Sequence, residues 1–485
     1  MKTLILNPSS RLAKNVIRDV LYGCWCKGKR IGGASIPPYS LLSVATVLNS
    51  EGFEVDFLDA QAEKLEWHQI EERAINVDAV AISTSTMTIN EDTLLLKNIK
   101  RRNPRILTLT FGSHPTFLPQ DTLNKGGIDV CIKHEPEFIV RDLLKRFFEL
   151  TPGAWQDVGG ISFLDSNGKF VNNDPYPPIS SLDQLPFLET KFLPKGIEYF
   201  NPIVKKTPYI TTVTSRGCPA KCTFCTVPYF YGKTIRYRSE QSVIEEMRDY
   251  WAKGYREVYF RDETFTFKRQ RTLNICKYIR ANSMEKMPWI CNARVGTVDR
   301  EILEEMKAAG CHFIKFGIES GVQEILDEVK KGTQVTEIKK TFKWMNEVGI
   351  ESHAHCMLGM PGETLDSMKR TIDFVRELNP TSASWTITTP YPGSALYDRV
   401  KEKYPEIGDG SDTDLSNLHT SGKYNRLYTD LIGPEIESEI KRAVRSFYLR
   451  PSYWFQTLNR IRSFNDVRRF VIAGLNVIDF SISGD

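Results

Sequence analysis

At 485 residues, 41% of them hydrophobic and 26% charged, the chain is too long for one ordinary core and has the composition of a folded globular protein. A formal net charge of +4 is small for that length and gives no reason to expect a nucleic-acid partner. The opening MKTLILNPSS is too short an apolar run for a secretory signal, and no stretch approaches the ~18 uninterrupted apolar residues of a membrane span, which predicts a cytoplasmic protein.

Short apolar runs alternate with helical patterns over residues 1–150. KTLILN (2–7), EVDFL (54–58), DAVAIS (78–83), RILTLTF (105–111) and DVCI (129–132) predict strands, with helices near 40–51, 90–102 and 137–149. The alternation predicts an α/β, doubly wound parallel sheet whose ligand lies beyond the carboxyl ends of the strands. No G-x-G-x-x-G follows the first strand and no G-x-x-x-x-G-K-[ST] occurs, which argues against a dinucleotide or nucleoside triphosphate. Residues 151–208 read as an ordered linker, with a hairpin, ISFLDSNGKFV, turning at Asn167-Gly168 ahead of a proline-rich stretch. From 209 to 390 the alternation resumes with strands YITTVTS (209–215), EVYFRD (257–262), WICNAR (289–294), HFIKFGIE (312–319), ESHAHCML (351–358) and SASWTIT (382–388). Six such units predict a partial (β/α)6 barrel with its chemistry at the C-terminal strand ends. Residues 391–485 read as a helical C-terminal region.

In a cytoplasmic chain the ten cysteines stay reduced, so clustered ones read as metal or catalytic ligands. TSRGCPAKCTFCTVPYFYG sets Cys218, Cys222 and Cys225 in one loop after the first barrel strand. Three thiolates can hold three corners of a cubane iron–sulfur cluster and leave the fourth iron open to a substrate. A closed electron-transfer cluster or a structural zinc site needs a fourth ligand. Chance thiols and zinc are the competing readings.

This loop resembles that of the radical S-adenosylmethionine (SAM) superfamily, whose C-x-x-x-C-x-x-C follows the first strand of a partial β/α barrel. Phe224, the aromatic residue just before the last cysteine, matches as well. The resemblance implies one 4Fe–4S cluster on the three cysteines, with SAM on the open iron and its reductive cleavage to methionine and a 5′-deoxyadenosyl radical. Polar groups at successive strand ends suit a small zwitterionic nucleoside. These are Asp262, Glu263, Arg294, Glu319 and Ser320, with GMPGET (359–364) and TPYPGS (389–394) after strands five and six. Any one of them alone reads equally as an ion-pair member.

The resemblance extends over nearly the whole chain, to the branch with an N-terminal cobalamin-binding domain. The matching stretches are LILNP, PPYSLLSVATVLNSEGFEVDFLDA (37–60), AISTSTMT (81–88), FGSHPTFLP (111–119) and HEPE (134–137). They imply cobalamin contacts from Ser83, Thr84, Gly112 and Glu135, with the small hydroxyl residues at 83–86 suited to close approach of the nucleotide tail. The D-x-H-x-x-G motif that supplies an axial histidine elsewhere is missing, since Asp59 is followed by Ala60-Gln61, which implies cobalamin without a protein histidine on cobalt. The usual double glycine reads Phe111-Gly112, and a domain that has lost its ligand is the competing reading.

Weaker signals are Cys24 and Cys26 beside Lys27, Lys29 and Arg30, which could meet an acidic group on the substrate. Glu351, His353 and His355 share one face of strand five, as a metal site or, more commonly, a polar barrel lining. The basic, aromatic tail at 450–480 packs on the barrel or touches a membrane. The family implies a cobalamin-dependent C-methyltransferase served by a ferredoxin or flavodoxin. A large apolar substrate is expected, of bacteriochlorophyllide or hopanoid type. A non-methylating cyclase of the magnesium-protoporphyrin ester type is the rival enzyme, and a sensing module the rival without catalysis.

Overall fold

The computed structural model describes residues 2–19, 34–148, 154–411, 425–461 and 464–483. The first five predicted runs form β1 (Lys2–Asn7), β2 (Glu54–Asp59), β3 (Ala79–Thr84), β4 (Leu107–Gly112) and β5 (Val130–Ile132). Every residue of β3 and β4 is buried, as in parallel strands covered by helices on both faces. The order β2-β1-β3-β4-β5 reverses direction at β1/β3, so the sheet is doubly wound.

The predicted hairpin exists as β6 (Ile161–Leu164) and β7 (Phe170–Asn172), with Gly168 at φ +75° in its turn. It belongs to the first sheet and not to the ordered linker expected over 151–208. β6 pairs antiparallel with β5, which makes the first sheet seven-stranded and mixed. Ile161 and Phe163 are buried in the core, and that burial recruits the hairpin to the open edge of β5.

The second sheet begins at β8 (Tyr209–Thr212). A short ribbon follows, β9 (Ser215–Arg216) against β10 (Arg236–Tyr237). Then come β11 (Glu257–Phe260), β12 (Trp289–Ala293), β13 (Cys311–Glu319), β14 (Glu351–Leu358) and β15 (Ser382–Ile387). The order β15-β14-β13-β12-β11-β8 is parallel throughout and winds one way, which is the predicted partial barrel. Burial alternates along β14, so Glu351, His353, His355 and Met357 face the interior while Ser352, Ala354 and Leu358 pack outward.

The open edge at β15 is covered by the helix Gly433–Tyr448. Tyr448 donates its hydroxyl to the Ala383 carbonyl (2.6 Å) and accepts from the Ala383 N–H (3.0 Å). Trp385 and Phe447 meet edge to face at 5.7 Å. The preceding segment runs back to the first domain, where Lys125 reaches Asp409 (2.9 Å) and Asn90 donates to the Ser411 carbonyl (2.9 Å). The last helix, Phe464–Ser483, buries Asp466, Arg469 and Val477 but leaves Val467, Val471, Leu475 and Ile478 exposed along one stripe. Among the described residues no helix is long and apolar enough to cross a membrane.

Candidate active site

One cavity of about 520 Å³ lies where the carboxyl ends of both sheets meet. The first domain contributes Ser85, Thr86 and Met87 after β3 and Ser113 after β4. The barrel contributes Cys218, Cys222, Cys225, Glu263, Arg294 and Glu319, with Lys315, His353 and His355 deeper in.

The cysteine loop is held from several sides. Asp262 accepts from the Thr214 N–H (2.6 Å), the Thr214 hydroxyl (2.6 Å) and the Ser215 hydroxyl (2.5 Å). Gly217 sits at φ +106°, where a Cβ would come within 2.4 Å of the Thr234 carbonyl, so only glycine fits the turn. The Cys218 N–H reaches the Gly232 carbonyl (3.1 Å) and the Thr223 N–H the Val329 carbonyl (3.0 Å). Burial raises the Cys218 thiol and pushes that of Cys225 up to about 12. Thiols raised in this way become thiolates beside positive charge, which bound iron supplies. Arg294 Nη1 lies 3.8 Å from Cys222 Sγ. No group of three His, Cys, Asp or Glu side chains among the described residues converges on a single ion. Thiols facing one cavity from separate positions fit the separate iron corners of a cubane.

Glu263 is the clearest binding group left open. Its buried Oε2 has no hydrogen-bond partner, and burial pushes its carboxyl up to about 8, aided by Asp262 and opposed by Arg216 and Arg236. A buried carboxylate oxygen on a cavity wall fits the ammonium of a bound amino acid such as SAM. Glu319, at φ +62°, accepts from Lys331 at 2.7 Å, and a Cβ at Gly317 would strike its carboxylate. Lys331 was not foreseen, because nothing in DEVKKGT distinguishes it from a surface lysine. Asp262 and Ser320 are not on the wall: Asp262 anchors the cysteine loop, and Ser320 bonds Thr371 (3.0 Å). In GMPGET, Glu363 clamps the Gly359 and Met360 N–H groups (2.6 and 3.0 Å), leaving Met357 before it and Thr389 and Tyr391 of TPYPGS on the wall.

Of the hydroxyl run 83–86, Ser85 and Thr86 line the cavity whereas Ser83 and Thr84 do not. Ser83 and Thr84 still lie within β3; Ser83 bonds the Arg18 carbonyl (3.2 Å) and Thr84 bonds Asp92 (2.7 Å). Gly112, at φ +117°, lets β4 pass against Thr84, whose carbonyl would lie 2.2 Å from a Cβ. The wall begins beyond the strand ends, at Ser85, Thr86, Met87 and Ser113, and the three hydroxyls among them, on an open concave edge, fit a macrocycle bearing amide groups. Gln61 stands at the histidine position of the missing motif, and its amide is occupied by the Val16 N–H (2.6 Å) and carbonyl (2.9 Å). Glu135 is not on the wall either. It accepts from Arg216 (3.0 Å), Arg236 (2.6 Å) and the Ile179 N–H (3.0 Å), joining the two domains.

Cys24, Cys26, Lys27, Lys29 and Arg30 lie outside the described residues. His353 uses both ring nitrogens, on Ser382 (2.7 Å) and Ser384 (3.0 Å), and His355 bonds Ser384 (2.7 Å). Glu351 is drawn off to Lys205 (2.7 Å). This is a polar barrel lining.

The family model described as Radical SAM superfamily matches residues 212–375, and that described as B12 binding domain matches residues 32–144, together more than half of the chain. The chain belongs to the B12-binding radical SAM family. This radical SAM enzyme is similar to an uncharacterised methyltransferase of Pyrococcus horikoshii, 29% identical over 87% of this chain and 90% of the relative. The anaerobic magnesium-protoporphyrin IX monomethyl ester cyclase of Rubrivivax gelatinosus is 28% identical over 77% of this chain and 68% of the cyclase. More distant relatives include bacteriochlorophyllide and hopanoid methylases. The solved structure of the radical SAM methyltransferase TsrM from Kitasatospora setae, with cobalamin and a 4Fe–4S cluster bound, shares the fold. It superposes at a TM-score of 0.66 and 16% identity over 92% of this chain and 97% of that one. A 4Fe–4S cluster, SAM and cobalamin are the cofactors typical of this family.

Proposed function

We propose that this cobalamin-dependent radical SAM enzyme is a C-methyltransferase acting on an unactivated carbon held between its two domains. The observation that carries this is the shared cavity, bordered by the three cysteines on one side and by Ser85, Thr86, Met87 and Ser113 on the other. When bound, the cluster and SAM supply radical chemistry and cobalamin a transferable methyl group. The chain's own residues do the rest. Cys218, Cys222 and Cys225 hold iron, Glu263 receives the SAM ammonium, and Arg294 sets positive charge beside Cys222. The interdomain walls exclude water and oxygen from the reacting groups.

The best-supported substrate class is a tetrapyrrole side chain, with a bacteriochlorophyllide as the first compound to try. It is supported by the cyclase relative, whose name specifies a tetrapyrrole, and by the large cavity lined by Trp385, Ile387, Met357 and Met87. The partners this reading calls for are a one-electron donor of the ferredoxin or flavodoxin class and, for a greasy substrate, a membrane surface against the stripe Val467, Val471, Leu475 and Ile478.

The test is anaerobic incubation of the reconstituted enzyme with cobalamin, methyl-labelled SAM and a bacteriochlorophyllide, read by mass spectrometry. Labelled, methylated tetrapyrrole is expected. An oxidised or cyclised product without label would replace this reading with the cyclase type, and label in a lipid extract with the hopanoid type.

A further inference from the structure

Thr86 is the hydroxyl of the first-domain wall whose surroundings are most completely built. It lines the cavity yet is only 4% exposed. Its Oγ1 lies 3.1 Å from Nδ1 of His114, a fully buried histidine on the short helix after β4. The other ring nitrogen, Nε2, has no hydrogen-bond partner and faces Asp409 Oδ2 at 3.6 Å. Asp409 comes from the C-terminal region, far away in sequence. Lys125 (2.9 Å) and the N–H and hydroxyl of Ser411 (2.9 and 2.7 Å) hold it in place. Lys125 also donates to the Ser411 hydroxyl (2.8 Å). Against Thr86 itself lies Gly410, where a Cβ would stand 3.5 Å from the Thr86 methyl. The Thr86 hydroxyl is therefore oriented by His114 with Asp409 behind it, and its methyl by Gly410.

The chemistry of this chain is directional. A carboxylate facing Nε2 favours the tautomer that carries its proton there. Nδ1 is then bare and accepts the Thr86 hydroxyl proton. With that proton committed, Thr86 offers the cavity only oxygen lone pairs. A group docking on it must be a hydrogen-bond donor, and the corrin periphery of cobalamin carries primary amides that are such donors.

We propose that Thr86 accepts a hydrogen bond from a corrin side-chain amide, and that His114 and Asp409 are positioning residues that hold it as an acceptor. The C-terminal region thus completes the cobalamin site of the first domain. This rests on the reading of that edge as the cobalamin face. It gives a role to a buried histidine that cannot serve as an axial ligand, since its ring is fully enclosed with one nitrogen turned to Thr86 and the other to Asp409.

The experiment measures the affinity of the full-length, cluster-reconstituted chain for hydroxocobalamin by absorbance after anaerobic equilibrium dialysis. Circular dichroism and SAM binding serve as controls for folding. Thr86→Val should weaken cobalamin binding about 3- to 10-fold, the worth of one hydrogen bond, while Thr86→Ser, which keeps the hydroxyl, stays within about 2-fold of the parent. Asp409→Asn should weaken binding in the parent but add nothing to Thr86→Val, because it acts through that hydroxyl. Unchanged affinity in Thr86→Val, or an equal further loss when Asp409→Asn is added to it, overturns the proposal and leaves the cobalamin reading intact. A parent chain that binds no cobalamin overturns both. If Asp409→Asn fails the folding controls, the Val and Ser pair at position 86 decides alone.

Discussion

Arg216 Nη2 lies 2.5 Å from Glu137 Oε1, a buried ion pair that joins the cysteine loop of the barrel to the first domain. The same guanidinium reaches Glu135 (3.0 Å) and the Tyr39 hydroxyl (3.1 Å), and Arg216 is two residues before Cys218. The family motif HEPE therefore acts here as a domain clamp.

Arg216→Met leaves the buried Glu137 carboxylate without its cation, while Glu135 keeps Arg236 at 2.6 Å, and removing one partner of a buried pair costs about 3–5 kcal/mol. We expect a lower guanidinium midpoint and impaired cluster retention after reconstitution. Burial raises the Glu135 carboxyl, but Arg216 and Arg236 outweigh it and hold it below the ordinary value. Its contribution is fully present above the ordinary glutamate pKa of about 4.3 and is lost as pH falls through the lower folded value. Part of the parent's acid sensitivity below that point should be missing in the variant. A midpoint equal to the parent's would refute the clamp.

Glu263 runs in the opposite direction. Its carboxyl is raised to about 8, so the folded chain binds a proton that the unfolded chain releases. Stability from this group is present at low pH and declines between about 4.3 and about 8. Pairing with the SAM ammonium needs the ionised form, so SAM affinity should rise as pH climbs from 6.5 to 8.5. In Glu263→Gln it should be weaker and flat across that range. Calorimetry at four pH values checks this; a parallel rise in the variant would reassign the ammonium site.

Cys218, Cys222 and Cys225 changed together to Ala should abolish the cluster. The parent should carry about four iron and four sulfide per chain after anaerobic reconstitution, and the variant neither. SAM cleavage should disappear with them. Because the loop is also held by Asp262 and by the Thr223–Val329 bond, thermal unfolding should change little. Retention of an intact cluster in the triple variant would sink the assignment.

Gly112→Ala forces a Cβ to 2.2 Å from the Thr84 carbonyl and requires φ +117° of an L side chain. Strain of that kind costs on the order of 1–3 kcal/mol before the clash is counted. We expect a lower unfolding midpoint and weaker cobalamin retention, since the displaced β3 end carries Ser85 and Thr86. Iron content should be unaffected, which separates this effect from general misfolding.

All eleven strands predicted for the two sheets formed within about three residues, because apolar β runs between helical patterns depend only on local periodicity. That the cysteine triad and Glu263 face one cavity was legible for a related reason, as motif and strand-end position are properties of the chain order. Tertiary contacts decided the rest. Asp262, Ser320, Ser83, Thr84 and Glu135 carry polar groups at the expected ends, yet each is satisfied by a neighbour distant in sequence or turned away from the cavity. Thr86 and His114 lie in the matching stretches AISTSTMT and FGSHPTFLP, but their pairing, like the roles of Lys331 and Asp409, gave no local signal, since these arise from partners supplied by other segments. Local pattern records which way a residue can face, whereas the partner that satisfies a buried polar group is chosen only when the two sheets and the C-terminal segment close on each other.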